Sequence, residues 1–396
     1  MDNKKIDEVL SKLDAEFDKA TLDWLISMYD GESGGFYYAV SSRDNEQFEP
    51  DIESVVQANS CMQTLGLVPK DENGKWDFPD WYKKGTLDFL RERQDPDDGY
   101  FYDPVYKAIA GKEKLERNTG FATGFIKGDL YEKPLYPTPM ERILAKKEKG
   151  EKVSGGGKNG AADQDIYDSP ENFIKWLEQI SSKGSSYGWG SWLASGYGMI
   201  KAAGLENTLV DWLIEKQNKE NGTWEKEFDM NAVNGVLKLC GFFNPSTKPY
   251  PNLEKYLSAV IDFTKTFEPI TAAGNWNPLG SFRQILKNHP NLPEDIQKKV
   301  DEGIADMIDN TIIQMRKFRQ PDHGFGYLQC GSSEISNSVK VSLGLPEGDV
   351  NALALMMLIY NEAYILTDRP RSHPWEKYRD YFWAEMKKKR EPFIGN

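Results

Sequence analysis

The chain of 396 residues is 28% charged and 39% hydrophobic, with a formal net charge of −13 and a mean hydropathy of −0.64. That balance suits one large globular domain or two ordinary ones, with ample length for a core, and it argues against nucleic acid or an anionic membrane as partner, since both need basic patches. No apolar run approaches the ~20 residues of a membrane span.

The N-terminal stretch, MDNKKIDEVLSKLDAEF, is amphipathic and carries no signal-peptide core. The three cysteines Cys61, Cys240 and Cys330 are odd in number and far apart, which points to a reduced, cytoplasmic protein. A helix is expected from Ile6 to about Tyr29, running into the glycine-aromatic turn Gly34-Gly35-Phe36. A polar loop follows, and a second helix opens at Pro50-Asp51-Ile52-Glu53-Ser54. Proline fits a first helical turn, and acidic residues there meet the positive end of the dipole. Beyond this start Val55, Val56, Ala58, Cys61, Met62 and Leu65 make the helix apolar on most sides until Gly66 stops it.

The same unit recurs along the chain. Asp80 to Gln94 is an outer helix, followed by the turn Gly99-Tyr100-Phe101 and an inner helix near Lys114 to Phe125. The third pair is Pro170 to Ser181, the turn Gly188-Trp189-Gly190, and Ser191 to Ala203. The fourth is Asn207 to Gln217, the turn Gly222-Thr223-Trp224, and Met230 to Cys240. The fifth is Asn252 to Phe267 with an inner helix from about Asn277 to Lys287. The sixth runs from Pro293 to Gln320, turns at Gly324-Phe325-Gly326-Tyr327, and returns from Glu347 to about Leu366. Inner helices are rich in Ala, Gly, Val and Leu, and outer ones are amphipathic, as a shell exposed on one side should be.

The simplest closure is a single all-α domain over 1–396, an (α/α)6 toroid of six helical hairpins whose inner-helix N-termini share one mouth. An open solenoid is the alternative, but it expects a more constant repeat length. Three stretches interrupt the pattern: a Gly- and Lys-rich surface loop at 147–168, an insertion at 331–346 placed to cover the mouth, and a C-terminal helix at 372–390 outside the ring.

Gln217-Asn-Lys-Glu-Asn-Gly222-Thr-Trp224 and Gln94-Asp-Pro-Asp-Asp-Gly99-Tyr-Phe101 resemble the Gln–Gly–Trp repeats of terpenoid cyclases and the glycine-aromatic turns of protein prenyltransferase β subunits. Asp51-Ile52-Glu53-Ser54 is similar in placement to the Asp-x-Asp-Asp motif of class II terpene cyclases, with Glu and Ser at its last two positions. Toroids of this shape also resemble six-hairpin glycosidases and (α/α) polysaccharide lyases. The resemblance implies an α/α-toroid superfamily scaffold and leaves the activity open. Nothing is similar to the zinc ligands of the prenyltransferases.

Asp51 and Glu53 stand two apart at a helix start, where they can cap the helix or do chemistry. Asp349 and Asn351 hold the matching place in the sixth inner helix, Asp229, Asn231 and Asn234 in the fourth, and Asn275 and Asn277 in the fifth. Carboxylates converging on one mouth suit glycoside hydrolysis, one as acid and one as base. Glu53 and Asp349 are the expected pair, with Asp51 and Asp229 in reserve. Asp95-Pro96-Asp97-Asp98 matches Asp-x-Asp-Asp literally but reads as an ordinary turn. Tyr38, Trp189, Trp276 and Tyr327 are candidate stacking platforms or packing wedges. Arg117 can bind a substrate carboxylate or pair with a glutamate, and Asn277 and Asn351 can hydrogen-bond hydroxyls. His323 lies in an active-end turn and would serve as base in a lyase.

No metal or cofactor motif emerges. The expectation is a glycoside hydrolase acting on short oligosaccharides. A lyase working by β-elimination on uronates, a class II-type terpene cyclase using Glu53 or Asp51 as proton donor, and a non-catalytic binding module are the alternatives.

Overall fold

A computed structural model describes residues 3–149, 165–167, 169–243 and 248–394. Sixteen α-helices lie among them. In chain order they are α1 (Asn3–Ala15), α2 (Lys19–Met28), α3 (Val40–Arg43), α4 (Ile52–Thr64), α5 (Asp80–Glu92), α6 (Lys112–Gly128), α7 (Pro139–Glu148) and α8 (Pro170–Ser181). The second half holds α9 (Ser186–Ala202), α10 (Glu206–Lys216), α11 (Met230–Leu239), α12 (Leu253–Thr266), α13 (Ala272–Asn288), α14 (Glu294–Met315), α15 (Val350–Leu366) and α16 (Arg379–Arg390). The strands among the described residues, β1 (Ile335–Ser336) and β2 (Val339–Lys340), form one small hairpin. No helix among these residues is long and apolar enough to cross a membrane.

Six helices form a continuous inner array in the spatial order α6, α4, α15, α13, α11, α9, each packed on the next. Outside it, α12 and α14 lie on α13, α1 and α14 on α15, α8 on α9, and α16 beside α2. The inner helices are built for close neighbours. In α15, Val350, Ala352, Leu353, Met356, Ile359, Tyr360 and Ala363 are all buried, so this helix has almost no wet face. The C-terminal segment belongs to the same core: Trp375 is buried and its indole N–H donates to the Phe17 carbonyl at 2.9 Å.

The glycine-aromatic turns share one geometry. Gly34, Gly99 and Gly222 each donate their amide to the carbonyl four residues back, at 2.9 Å, from Asp30, Asp95 and Asn218 respectively. All three have positive φ, +82°, +80° and +71°, the region where a side chain is strained. In the second and third, a glutamine before the turn fastens it. The Gln94 amide donates to the Gly99 and Tyr136 carbonyls, and the Gln217 amide donates to the Gly222 carbonyl while accepting from Asn252. The fourth turn, after α14, is one residue shorter, and His323 takes the positive-φ place at +71°. Asp95 to Asp98 form a turn, as the sequence indicates.

Several elements differ from the sequence reading. The stretch from Ile6 to Tyr29 is two helices, because Asp18 caps a new one by accepting from the Thr21 amide at 2.9 Å. Gly188-Trp189-Gly190 is not a turn but the first turns of α9. Gly190 is there for close packing, since a Cβ would lie 3.1 Å from Lys238 on α11. Helix α13 starts five residues before Asn277, at Ala272. Helix α7 occupies 139–148, and the rest of the expected 147–168 loop lies largely outside the described residues.

Candidate active site at the inner-helix N-termini

Hydrogen bonds tie the starts of the inner helices together at one end. The extended segments after the first and last turns do most of this. The Phe36 carbonyl accepts from Asp51 ahead of α4, the Tyr38 and Phe325 carbonyls accept from Val350 and Asp349 at α15, and the Tyr327 carbonyl accepts from Ala272 at α13. On one side Asp103 accepts from the Ile52 amide (2.9 Å) and the Asn118 side chain (2.8 Å), joining α4 to α6. On the other, Asn277 donates to Asn234 at 2.5 Å, and the Ser186 hydroxyl donates to the Asn231 carbonyl at 3.4 Å, joining α13, α11 and α9.

Asp51, Asp229 and Asp349 are all N-caps, each accepting from the amide three residues on, at 2.8, 3.0 and 2.7 Å. They differ in surroundings. Asp229 is exposed, and its second oxygen accepts from the Asn231 side chain at 3.5 Å. Asp51 is buried; burial, and then the neighbouring Asp103 charge, push its carboxyl up. Asp349 has no exposed surface, and its second oxygen accepts from the Tyr327 amide at 2.7 Å. Burial outweighs these donors and raises the carboxyl from 3.8 to about 7.

Glu53, 3% exposed, is the second residue of α4, in its first turn. It meets Arg117 at 2.5 Å, Lys114 at 3.0 Å and the Gln57 amide at 3.2 Å. Burial alone would raise its carboxyl, but the Arg117 and Lys114 charges hold it below the usual range. Gln57 also donates to Asn351 at 2.8 Å, so Glu53, Gln57 and Asn351 form a chain from α4 to α15. The two members of the expected pair are thus pushed apart, one towards the anion and one towards the acid.

The remaining candidates fall into two groups. Tyr38 is buried beside Asp349 and Glu53; burial, then the Asp349 and Glu53 charges, drive its phenol well above 10, and its hydroxyl lies against the Asp349 carboxyl. Tyr327 is half-buried near Asp349, with Arg117 and Tyr187 close enough to influence its phenol. Arg117 stacks on Phe121, and its side chain is partly exposed. Trp276, on α13, has an indole N–H without a partner. The other two stand apart. Trp189 is buried edge-to-face against Trp212 and serves as a wedge. The His323 side chain is exposed, and its carbonyl accepts from Thr21 and Arg319 on the α2 side.

Sequence reasoning missed Lys114, Asp103 and Gln57. A signal was present, because a lysine and an arginine in the first two turns of α6 oppose its dipole and imply buried carboxylate partners. The insertion sits over this site. Val339 and Val341 pack with Tyr38, Ala39 and Tyr106 in an apolar cluster separate from the main core, and Glu347 pins the strap by accepting from the Ser41 amide and hydroxyl and from Ser332. Among the described residues, no three His, Cys, Asp or Glu side chains are placed to hold a metal ion. Comparison of the chain with protein-family models, with curated proteins and with solved structures gave no match, so the functional reading rests on this geometry.

Proposed function

We propose that the chain is a carbohydrate-active enzyme, a glycoside hydrolase acting on short oligosaccharides at the mouth of a closed six-hairpin toroid. The observation that carries the reading is a set of buried polar atoms without partners: the Gln57 and Asn118 carbonyl oxygens near the carboxylates, with the Trp276 indole N–H on α13. Each unpaired buried group costs about 1–3 kcal/mol. A hydroxylated ring can satisfy both donors and acceptors of this kind, whereas a polyprene would leave them unpaired.

Asp349, neutral near pH 7, gives its proton to the leaving glycosidic oxygen. Glu53, held as the anion, takes a proton from the attacking water. Arg117, Asn351 and Gln57 fix the ring through hydroxyls, and Tyr38 bonds the sugar between the two carboxyls. A second reading, β-elimination from a uronate, draws on the nearness of Arg117 to the Tyr327 phenol and assigns the base to Tyr327 rather than to His323.

A screen of the pure protein against neutral and uronate-containing oligosaccharides and against prenyl diphosphates tests this. New reducing ends, lost by about 10²-fold or more in Glu53→Gln and Asp349→Asn, support hydrolysis. An ultraviolet-absorbing unsaturated sugar moves the reading to elimination. Turnover of the prenyl panel alone, or full activity in both variants, overturns it.

A further inference from the structure

Lys114 is 2% exposed and stands among three carboxylates, those of Glu53, Asp51 and Asp103. Nothing about folding requires a charge there. It is the third residue of α6, where the helix dipole repels a cation, and a buried ion pair is often no more stabilising than apolar side chains of equal volume. Its ammonium donates to Glu53 at 3.0 Å, on the oxygen that Arg117 and Gln57 leave open.

The other groups around Glu53 divide by sign. From α6 come Lys114 and Arg117. Asp51 lies two residues before it, and Tyr38, from the segment after the first turn, and, beyond it, Asp349 at the start of α15 stand on its other side. Asp103 is shared with Arg93, the C-cap of α5, at 3.9 Å. Arg117 is partly exposed, so a substrate anion or solvent can draw it off. Lys114 cannot be drawn off in this way.

We infer that Lys114 is a positioning residue that keeps Glu53 anionic and oriented for its role as base, and confines any proton of the cluster to the Asp51–Asp103 pair. The inference rests on the reading of Glu53 as the base, but its test does not require turnover. The full chain labelled with side-chain carboxyl ¹³C-glutamate is titrated by NMR, and the Glu53 signal is assigned by its loss in Glu53→Gln.

The wild type should titrate below the ordinary glutamate value, and Lys114→Met should move the Glu53 midpoint up by about one pH unit or more. Lys114→Arg keeps the charge and should leave it low, which serves if the methionine variant fails to fold. In a working enzyme the acid limb of kcat/KM should follow the same shifts. A Glu53 midpoint that stays put in Lys114→Met, or that rises in a folded Lys114→Arg, overturns the inference. Absence of glycosidase activity with the expected titrations would remove the hydrolase reading and leave the charge relation standing.

Discussion

Asp349→Asn separates the cap from the charge. Asparagine caps a helix as well as aspartate does, so the bond from the Ala352 amide survives, while the ionisable proton is removed. The wild-type carboxyl is raised from 3.8 to about 7 by burial. The native state therefore holds a proton that the unfolded chain has already released above about pH 4. Stability from this group is fully present below the unfolded value and is lost as pH climbs through the folded one. At ~1.4 kcal/mol per pH unit, a rise from 3.8 to about 7 is worth about 4 kcal/mol. The variant, with nothing to ionise, should gain on the wild type by an amount of this order between about pH 4 and about pH 7. The constant cost of facing the Tyr327 amide with the asparagine NH₂ shifts the whole curve without tilting it. Urea midpoints for both proteins across that range measure the tilt. Parallel curves would show that Asp349 is ionised throughout, and would remove it as the acid.

Gly99→Ala and Gly74→Ala share a positive φ, +80° and +74°, but a Cβ at 99 meets the Pro137 carbonyl oxygen at 2.2 Å while one at 74 meets nothing. The Gly74 variant should lose only about 1–2 kcal/mol and the Gly99 variant about 1–3 kcal/mol more, so equal urea midpoints would refute the turn packing. Trp375→Ala should cost about 3–5 kcal/mol, since the indole is buried and bonded to Phe17; a near-normal melting temperature would detach the C-terminal segment from the core. Native alkylation followed by mass spectrometry should label Cys330, which is exposed, long before Cys61 and Cys240, whose thiols burial both covers and pushes up. Equal labelling of all three would contradict the packing.

The fold is readable where one signal has one cause. Helices α4, α11 and α15 announce themselves by an acidic cap followed by an apolar run, and in each the cap is the expected aspartate. The turns at Gly34, Gly99 and Gly222 are readable because positive φ admits few residues other than glycine. The same logic misleads at Gly188-Trp189-Gly190. There glycine answers a different demand, the passage of Lys238 and Leu239 on α11, and only the neighbouring helix reveals it. His323 misleads in the opposite sense, since it fills a glycine-like backbone position while its side chain points outward.

The site is less readable because its electrostatics are assembled from distant segments. Glu53 is separated by 61 and 64 residues from the two cations that hold it ionised. Spacing can place Asp51, Asp229 and Asp349 at equivalent helix starts, and all three do cap. Equivalence in sequence ends at the cap, because what distinguishes these carboxyls is their surroundings. Asp229 is exposed and keeps only its capping role. Asp51 lies against Asp103 and beside Lys114, so two carboxyls compete for charge in one buried space. Asp349 has Tyr38 and backbone amides, and among the described residues no cation within bonding distance. Three residues at equivalent helix starts thus become a solvated cap, a buried carboxyl pushed up beside Asp103, and a buried carboxyl raised to about 7. The difference is made by Lys114 and Asp103 on one side and by the strap at 331–346 on the other. Lys114 belongs to α6 within the repeat, whereas Asp103 and the strap lie between helices, so each cap's charge is set by neighbours that the repeat does not make equivalent.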